Sequence, residues 1–361
     1  MKRYMRFVLP LLCILVISFV GTKLMNQANY QMGAIETSMT DRTYIKWVDF
    51  SVTASAMTAA YQYDVDTYQA EIHLNWIDLL AYCAAKTGGS FSKNSLDTMK
   101  QAAELLTSKK ETIESLTADL KYFSYYKKAY TAVLGGLVGE YEIQQCVDDT
   151  GNKLEWLKKY GLKGFSPIAC GFYYNDYDDF GVSRSYGYKR RHLGHDMMGC
   201  TGTPIIAVES GYVEALGWNQ YGGWRIGIRS FDKQRYYYYA HLRKDFPFNK
   251  ELKIGSIVTA GDVIGYLGRT GYSRNENVNN IDTPHLHFGL QLIFDECQKD
   301  GNNEIWIDCY ELIQFLYQNR CQTQKTGDDG SERIYQFKDP SVEEYKERMD
   351  KRKRSFVFPN S

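Results

Sequence analysis

The sequence predicts an α+β protein: an apolar N-terminal anchor, then a helical domain, then an antiparallel all-β domain that carries the chemistry. Three observations predict it. An uncharged, mostly apolar run covers residues 7–22. No proline falls between Pro10 and Pro167, which permits long helices because proline breaks helix interiors. Beyond about residue 165 glycines become frequent, and short β-branched or aromatic runs alternate with turns. The 361 residues suit two domains besides the apolar start. We expect an anchor over 1–24, helices over 30–150, the β domain over 160–325 and a charged tail over 326–361.

The first element is MKRYMR, with Lys2, Arg3 and Arg6 and no acid, followed by FVLPLLCILVISFVGT. A basic end kept in the cytoplasm before an apolar run reads as an export signal or a membrane anchor. The run is about 16 residues, a little under the ~20 that span a bilayer. Small-x-small cleavage sites are poor, with Ser18-Phe19-Val20 and Asn26-Gln27-Ala28 both weak matches. Cys13 follows the bulky Leu12, where a lipoprotein site would want a small residue. We therefore expect an uncleaved single-pass anchor, with a removed signal peptide as the alternative. Both leave the remaining chain outside the cytoplasm.

Residues 66–87, DTYQAEIHLNWIDLLAYCAAKT, carry Ile72, Trp76, Leu79, Leu80 and Cys83 as a helical stripe that stops at Gly88-Gly89. A second helix is expected behind Asn94 or Ser95, with Leu96, Met99, Ala103 and Leu106 on one face. A third runs through Ile113, Leu116 and Leu120 into KYFSYYKKAY. No chemistry is visible here, and His73 reads as a packed or solvated residue. With 43 basic and 43 acidic residues the chain has no net charge, and nothing indicates a nucleic-acid partner. The eight cysteines form no C-x-x-C pair and no zinc-finger spacing.

The β region holds TPIIAVESGYVEALGW, WRIGIRS, RYYYYAHL, GSIVTAGDVIGYLG and HLHFGLQLIF, strands at the spacing of an antiparallel domain. It also holds His192, His195, His241, His285 and His287, five of the six histidines. In DTPHLHFGL, residues 282–290, strand alternation sends His285 and His287 to one face and Leu286 and Phe288 to the other. The two histidines then lie roughly 6.6 Å apart, close enough to serve one site as two ligands or as ligand plus proton carrier. In RRHLGHDMMGCTGTP, His192 and Asp196 are suitable zinc ligands. On a straight strand they would stand roughly 13 Å apart, so Gly194 must sit in a bend if both touch one ion. Tyr237, Tyr239 and His241 share a face by alternation, which would project His241 into a groove. Trp218, Tyr221, Trp224 and Tyr236–Tyr239 are candidates for its lining. His195 is expected outside the ligand set, and Cys200 as a fourth ligand would close the site. The tail SVEEYKERMDKRKR reads as a solvated or disordered helix.

Taken in order, these motifs resemble the lysostaphin/LytM-type zinc metalloendopeptidases, which cut peptide bonds in bacterial peptidoglycan. The pieces are FGVSRSYGYKRRHLGHD, GTPIIAVESGYV, YYYYAHL, VTAGDVIGYLGRTGYS and PHLHFGL, spread from about Phe165 to Phe294. The stretch RNENVNNIDT before Pro284 is longer than the family's link, which implies an altered groove rim. The resemblance implies one zinc per chain held by His192, Asp196 and His287. It makes His241 and His285 the histidines of the chemistry and Tyr186 a support for the oxyanion. It further implies a membrane-anchored extracytoplasmic endopeptidase acting on peptidoglycan cross-links. The alternative is a non-catalytic scaffold of the same fold that binds another cell-envelope protein. A plain carbohydrate-binding β module leaves the histidines unexplained.

Overall fold

A computed structural model describes residues 44–147, 153–185, 189–301 and 303–357, with side chains through Arg352. The expected anchor over 1–24 lies outside the described residues, as does Tyr186. No described helix is long and apolar enough to cross a membrane.

The helical region contains α1 (Ala54–Thr67), α2 (Trp76–Thr87), α3 (Lys93–Thr107), α4 (Ile113–Thr117) and α5 (Phe123–Leu134). The helix expected from residue 66 starts instead at Trp76. Asn75 caps it, accepting from the backbone N–H groups of Ile77 and Asp78. The Trp76 N–H donates to the buried Asp64 carboxylate at 2.9 Å, which also accepts from the Tyr160 hydroxyl at 2.6 Å. His73 joins this carboxylate through Nε2 at 2.8 Å and belongs to a structural knot. α2 ends where Gly88 adopts a φ of 66°, a left-handed cap that favours glycine. The expected third helix divides in two, its first part stopping where the Leu120 N–H turns back to the Thr117 carbonyl.

Helix stops at Leu134, well before residue 150. Val138–Cys146 (β1) and Leu154–Leu162 (β2) form a hairpin, and Phe337–Lys338 (β17) joins the free edge of β1. The expected domain boundary between 150 and 160 falls inside this hairpin, and residues 50–361 form one compact unit. Its parts are locked by buried polar contacts. Arg235 grips Glu209 with Nε at 2.7 Å and Nη2 at 3.1 Å, and donates to the Ala132 carbonyl near the end of α5 at 2.9 Å. Gly136 is obligatory beside this pair, since a Cβ there would meet Glu209 Oε1 at 1.6 Å. The Glu311 carboxylate accepts from the Ala54 N–H at 2.6 Å, and Phe315 packs on Tyr61 and Trp76. Phe315 lies on α6 (Tyr310–Leu316), one of the elements the sequence did not announce.

The remaining strands are β3 (Tyr174–Asp176), β4 (Ser183–Ser185), β5 (Lys189–Arg191), β6 (His195–Gly199), β7 (Pro204–Ile206), β8 (Gly211–Asn219) and β9 (Gly223–Ser230). They continue with β10 (Arg235–Ala240), β11 (Ile257–Val258), β12 (Val263–Tyr266), β13 (His285–Leu292), β14 (Ile305–Ile307), β15 (Thr323–Thr326) and β16 (Gly330–Arg333). The main sheet is antiparallel in the order β11-β8-β9-β10-β13-β6-β3, with β14 also on β13. Its core face carries Ile226, Ile228, Tyr237, Tyr239, Leu286, Phe288 and Leu290, all buried. Its other face is open and carries Arg225, Tyr236, Tyr238, Ala240, His285 and His287. The tail folds as α7 (Pro340–Val357), which starts with proline where the missing N–H costs nothing.

Candidate metal centre

Three side chains converge on one point above the open face. His192 Nε2 lies 3.1 Å from Asp196 Oδ1 and 2.9 Å from His287 Nδ1, and the last two atoms are 3.0 Å apart. Asp196 and His287 are direct cross-strand partners on β6 and β13. His192 reaches them because Gly194 is in a bend just before β6. Gly194 is also the only residue that fits, since a Cβ would meet the His287 ring at 2.6 Å and the Phe288 carbonyl at 2.7 Å.

Proton positions follow from the partners. His192 Nδ1 faces the Asp179 carbonyl at 3.1 Å and its carboxylate at 3.2 Å. Both only accept, so Nδ1 keeps the proton and Nε2 offers a lone pair to the cluster. Burial lowers the His192 pKa, but Asp196 and Asp179 outweigh it and leave it raised. Burial pushes Asp196 up, but the adjoining His192 and His287 outweigh it and hold the carboxylate far below its ordinary range. His287 goes down, because burial outweighs the pull of Asp196. Arg184 on β4 binds Asp179 and also reaches Asp196 Oδ2 at 3.2 Å. Neither Asp179 nor Arg184 stands out in the sequence, because each acts through a neighbour; Arg184 lies within FGVSRSYGYKRRHLGHD and Asp179 directly before it, with nothing local to mark their role.

The donor set fits zinc. Tetrahedral zinc with bonds of about 2.0–2.1 Å separates its ligand atoms by roughly 3.4 Å, close to the spacings here. Two imidazoles and one carboxylate leave a fourth position, the arrangement of a catalytic site. Cys200 is exposed and lies outside the cluster.

His285 and His241 sit beside it, with ring centroids 4.8 Å apart. His285 Nδ1 donates to the Thr283 carbonyl at 2.8 Å, which turns Nε2 toward Asp196 Oδ1 at 3.8 Å. His241 Nδ1 donates to the Thr270 carbonyl at 2.9 Å. Burial, then the neighbouring His285 and His287, push its pKa well below the ordinary value, so it is neutral at neutral pH. Alternation is not what delivers His241. Tyr237 and Tyr239 face the core, and β10 ends at Ala240, after which His241 takes a φ of 62°. That left-handed residue swings the ring over to the groove, a strained backbone of the sort found at functional sites.

All five described residues of the expected constellation line one groove of about 970 Å³. Tyr221, Tyr236, Tyr238 and Tyr272 line it too, with Arg190 stacked between the Tyr221 and Tyr272 rings at 5.4 and 5.1 Å. Ile281, Asp282 and Thr283, from the long link before Pro284, form part of the rim. His195 points elsewhere. It is buried and meets Asp176 at 3.3 Å.

The fold and this centre define a β domain with a candidate zinc site, and comparison with known proteins shows what that domain is similar to. Residues 190–300 match Peptidase family M23, and the C-terminal region of the chain carries a domain of that family. The chain is 34% identical over 181 residues to the L-Ala--D-Glu endopeptidase of Bacillus subtilis, covering 48% of this chain and 54% of that protein. It is 40% identical over 98 residues to the lysostaphin of Staphylococcus simulans, covering 27% of this chain and 17% of that protein. Among solved structures it matches a putative glycyl-glycine endopeptidase LytM from Ruminococcus gnavus. That match has 24% identity and a TM-score of 0.45, over 74% of this chain and 89% of the other. The chain spans about half or less of the length of these two curated relatives.

Proposed function

We propose that the chain is a zinc endopeptidase that hydrolyses peptide cross-links of bacterial peptidoglycan. The observation that carries it is the pairing of a three-ligand centre with two further histidines whose Nε2 atoms face the same groove. When bound, zinc supplies Lewis acidity, polarising a carbonyl and acidifying water to a pKa of about 7. The remaining work falls to this chain. The groove lays an extended peptide across the sheet, with Tyr236 and Tyr238 as its floor. As water adds to the scissile carbonyl, its proton passes to the Nε2 lone pair of His285 or His241. The resulting imidazolium donates to the amide nitrogen as the C–N bond breaks, releasing a carboxylate and an amine. The Thr283 and Thr270 carbonyls stabilise that imidazolium by accepting from its Nδ1–H. Tyr186 is assigned the oxyanion. The names of the M23 relatives support peptidoglycan as the substrate.

The same proposal places the chain at the outer face of the bacterial membrane, held by residues 7–22. Fractionation should put it in the membrane and expose it to protease added outside.

The test is digestion of defined peptidoglycans by the zinc-loaded chain. His241→Ala and His285→Ala should each keep one zinc and lose about 10² to 10⁴ in rate. His192→Ala, Asp196→Ala and His287→Ala should lose the metal. A zinc-loaded chain that leaves every peptidoglycan intact while capturing an envelope protein would instead establish the scaffold.

A further inference from the structure

One cation on the groove floor has no direct ion-pair partner among the described residues. Arg225 lies on β9 and faces the groove. Its Nε is buried without a hydrogen-bond partner, and among the described residues the side chain enters no ion pair or hydrogen bond. Arg191, also in the lining, is exposed to solvent, and the three remaining groove cations each have a partner. Arg184 is held by Asp179 and Asp196, Arg190 by the Tyr272 hydroxyl, and Lys299 by Glu214 at 3.0 Å. An unpaired, partly desolvated guanidinium is costly to keep. Its planar fork suits a carboxylate, which it binds with two parallel hydrogen bonds.

The sheet register places this group relative to the bond being cut. Asp196 is opposite His287, and His287 is opposite Ala240. β10 and β9 pair Tyr239 with Ile226, so the next residues along are Ala240 and Arg225. One row across the open face therefore reads Asp196, His287, Ala240, Arg225. Two strand spacings of about 4.8 Å put Arg225 roughly 10 Å from His287. An extended peptide covers that distance in about three residues. Ala240, between them, carries only a methyl group.

Resting on the peptidase reading above, we propose that Arg225 is the specificity-determining residue of this groove. It binds a free carboxylate on the substrate within about three residues of the scissile bond. The enzyme accordingly selects a carboxylate-bearing stem peptide over an uncharged oligoglycine bridge.

The test gives the full zinc-loaded chain two synthetic peptides that differ only in one group, a free carboxylate or its carboxamide, two or three residues from the cut. The wild type should favour the carboxylate peptide at least tenfold in kcat/KM, through KM. Arg225→Gln should bring that ratio to within about twofold, with zinc content and thermal melting checking the fold. Arg225→Met, which keeps the stem without the charge, serves if Arg225→Gln does not fold. Equal cleavage of both peptides by the wild type overturns the proposal, as does a tenfold preference that survives in the variants. Failure of the peptidase reading gives a different result, a wild type that cuts neither peptide. Calorimetric binding then decides: at least tenfold tighter binding of the carboxylate peptide, lost in Arg225→Gln, supports the role, and equal binding overturns it.

Discussion

His192 can lend Nε2 to a metal only while Nδ1 keeps its proton, and Asp179 enforces that with both its carbonyl and its carboxylate. Groups that orient a metal-ligating histidine are typically worth about 10- to 100-fold in metal affinity. We therefore expect Asp179→Ala to weaken zinc binding by that factor with the fold unchanged, as measured by chelator competition and circular dichroism. The same contacts set a pH dependence. The metal needs a neutral His192, and the raised pKa means protons compete from a higher pH than for an ordinary histidine near 6.5. Asp196, held ionised far below its usual range, adds no competition at these values. Zinc affinity should hold at alkaline pH and start to fall above 6.5 on acidification, approaching tenfold per unit below the His192 pKa. A fall that begins only below pH 6 would contradict this. The three candidate ligands that the structure brings together were legible through motifs that resemble a known family. Asp179 and Arg184 were not, because nothing local marks an acid 13 positions before the histidine it orients.

At the scale of elements, the centre depends on where strands begin and stop. β6 and β13 set Asp196 against His287, and the bend at Gly194 folds His192 back onto both. Gly194→Ala drives a methyl into the His287 ring and the Phe288 carbonyl. Overpacking of this kind costs about 1–3 kcal/mol. We expect a melting temperature lower by roughly 3–10 °C and a sharp loss of zinc, read by scanning calorimetry and metal analysis. The bend and the shared face of His285 and His287 could be read from glycine placement and period-two alternation. The route of His241 could not, since alternation sends its neighbours Tyr237 and Tyr239 into the core. The ring reaches the groove only through a left-handed turn at a non-glycine residue, a conformation that the tertiary surroundings impose.

Across the whole molecule, buried contacts join the helices to the sheet domain. A fragment over 160–325 loses β1, β17, α7 and the α5 carbonyls that receive Arg235. It also strips Tyr61 and Trp76 from Phe315, and Phe337 from the core around Phe165 and Tyr266. Uncovering a buried charge and two apolar faces should make this fragment insoluble, or lower its melting temperature by roughly 10 °C or more against the whole chain. An equally stable, zinc-replete fragment would instead establish the independent domain expected over 160–325.

By itself the sequence determined whatever depends on neighbours along the chain. Alternation defined the faces of β13, glycine marked the bend at Gly194, the H-x-x-x-D and H-x-H motifs supplied candidate donors, and the family resemblance they carry picked His192, Asp196 and His287 among them. Tertiary structure alone decided what must be brought together from afar. His192 meets His287 across 95 positions, and Arg235 meets the Ala132 carbonyl across 103. The hairpin that joins helices to sheet, the turn at His241 and the unpaired state of Arg225 belong to the same class. The physical reason is that side-chain periodicity is a local property of the backbone. Closing a metal site or burying an ion pair instead depends on chain segments that meet only once the core has formed.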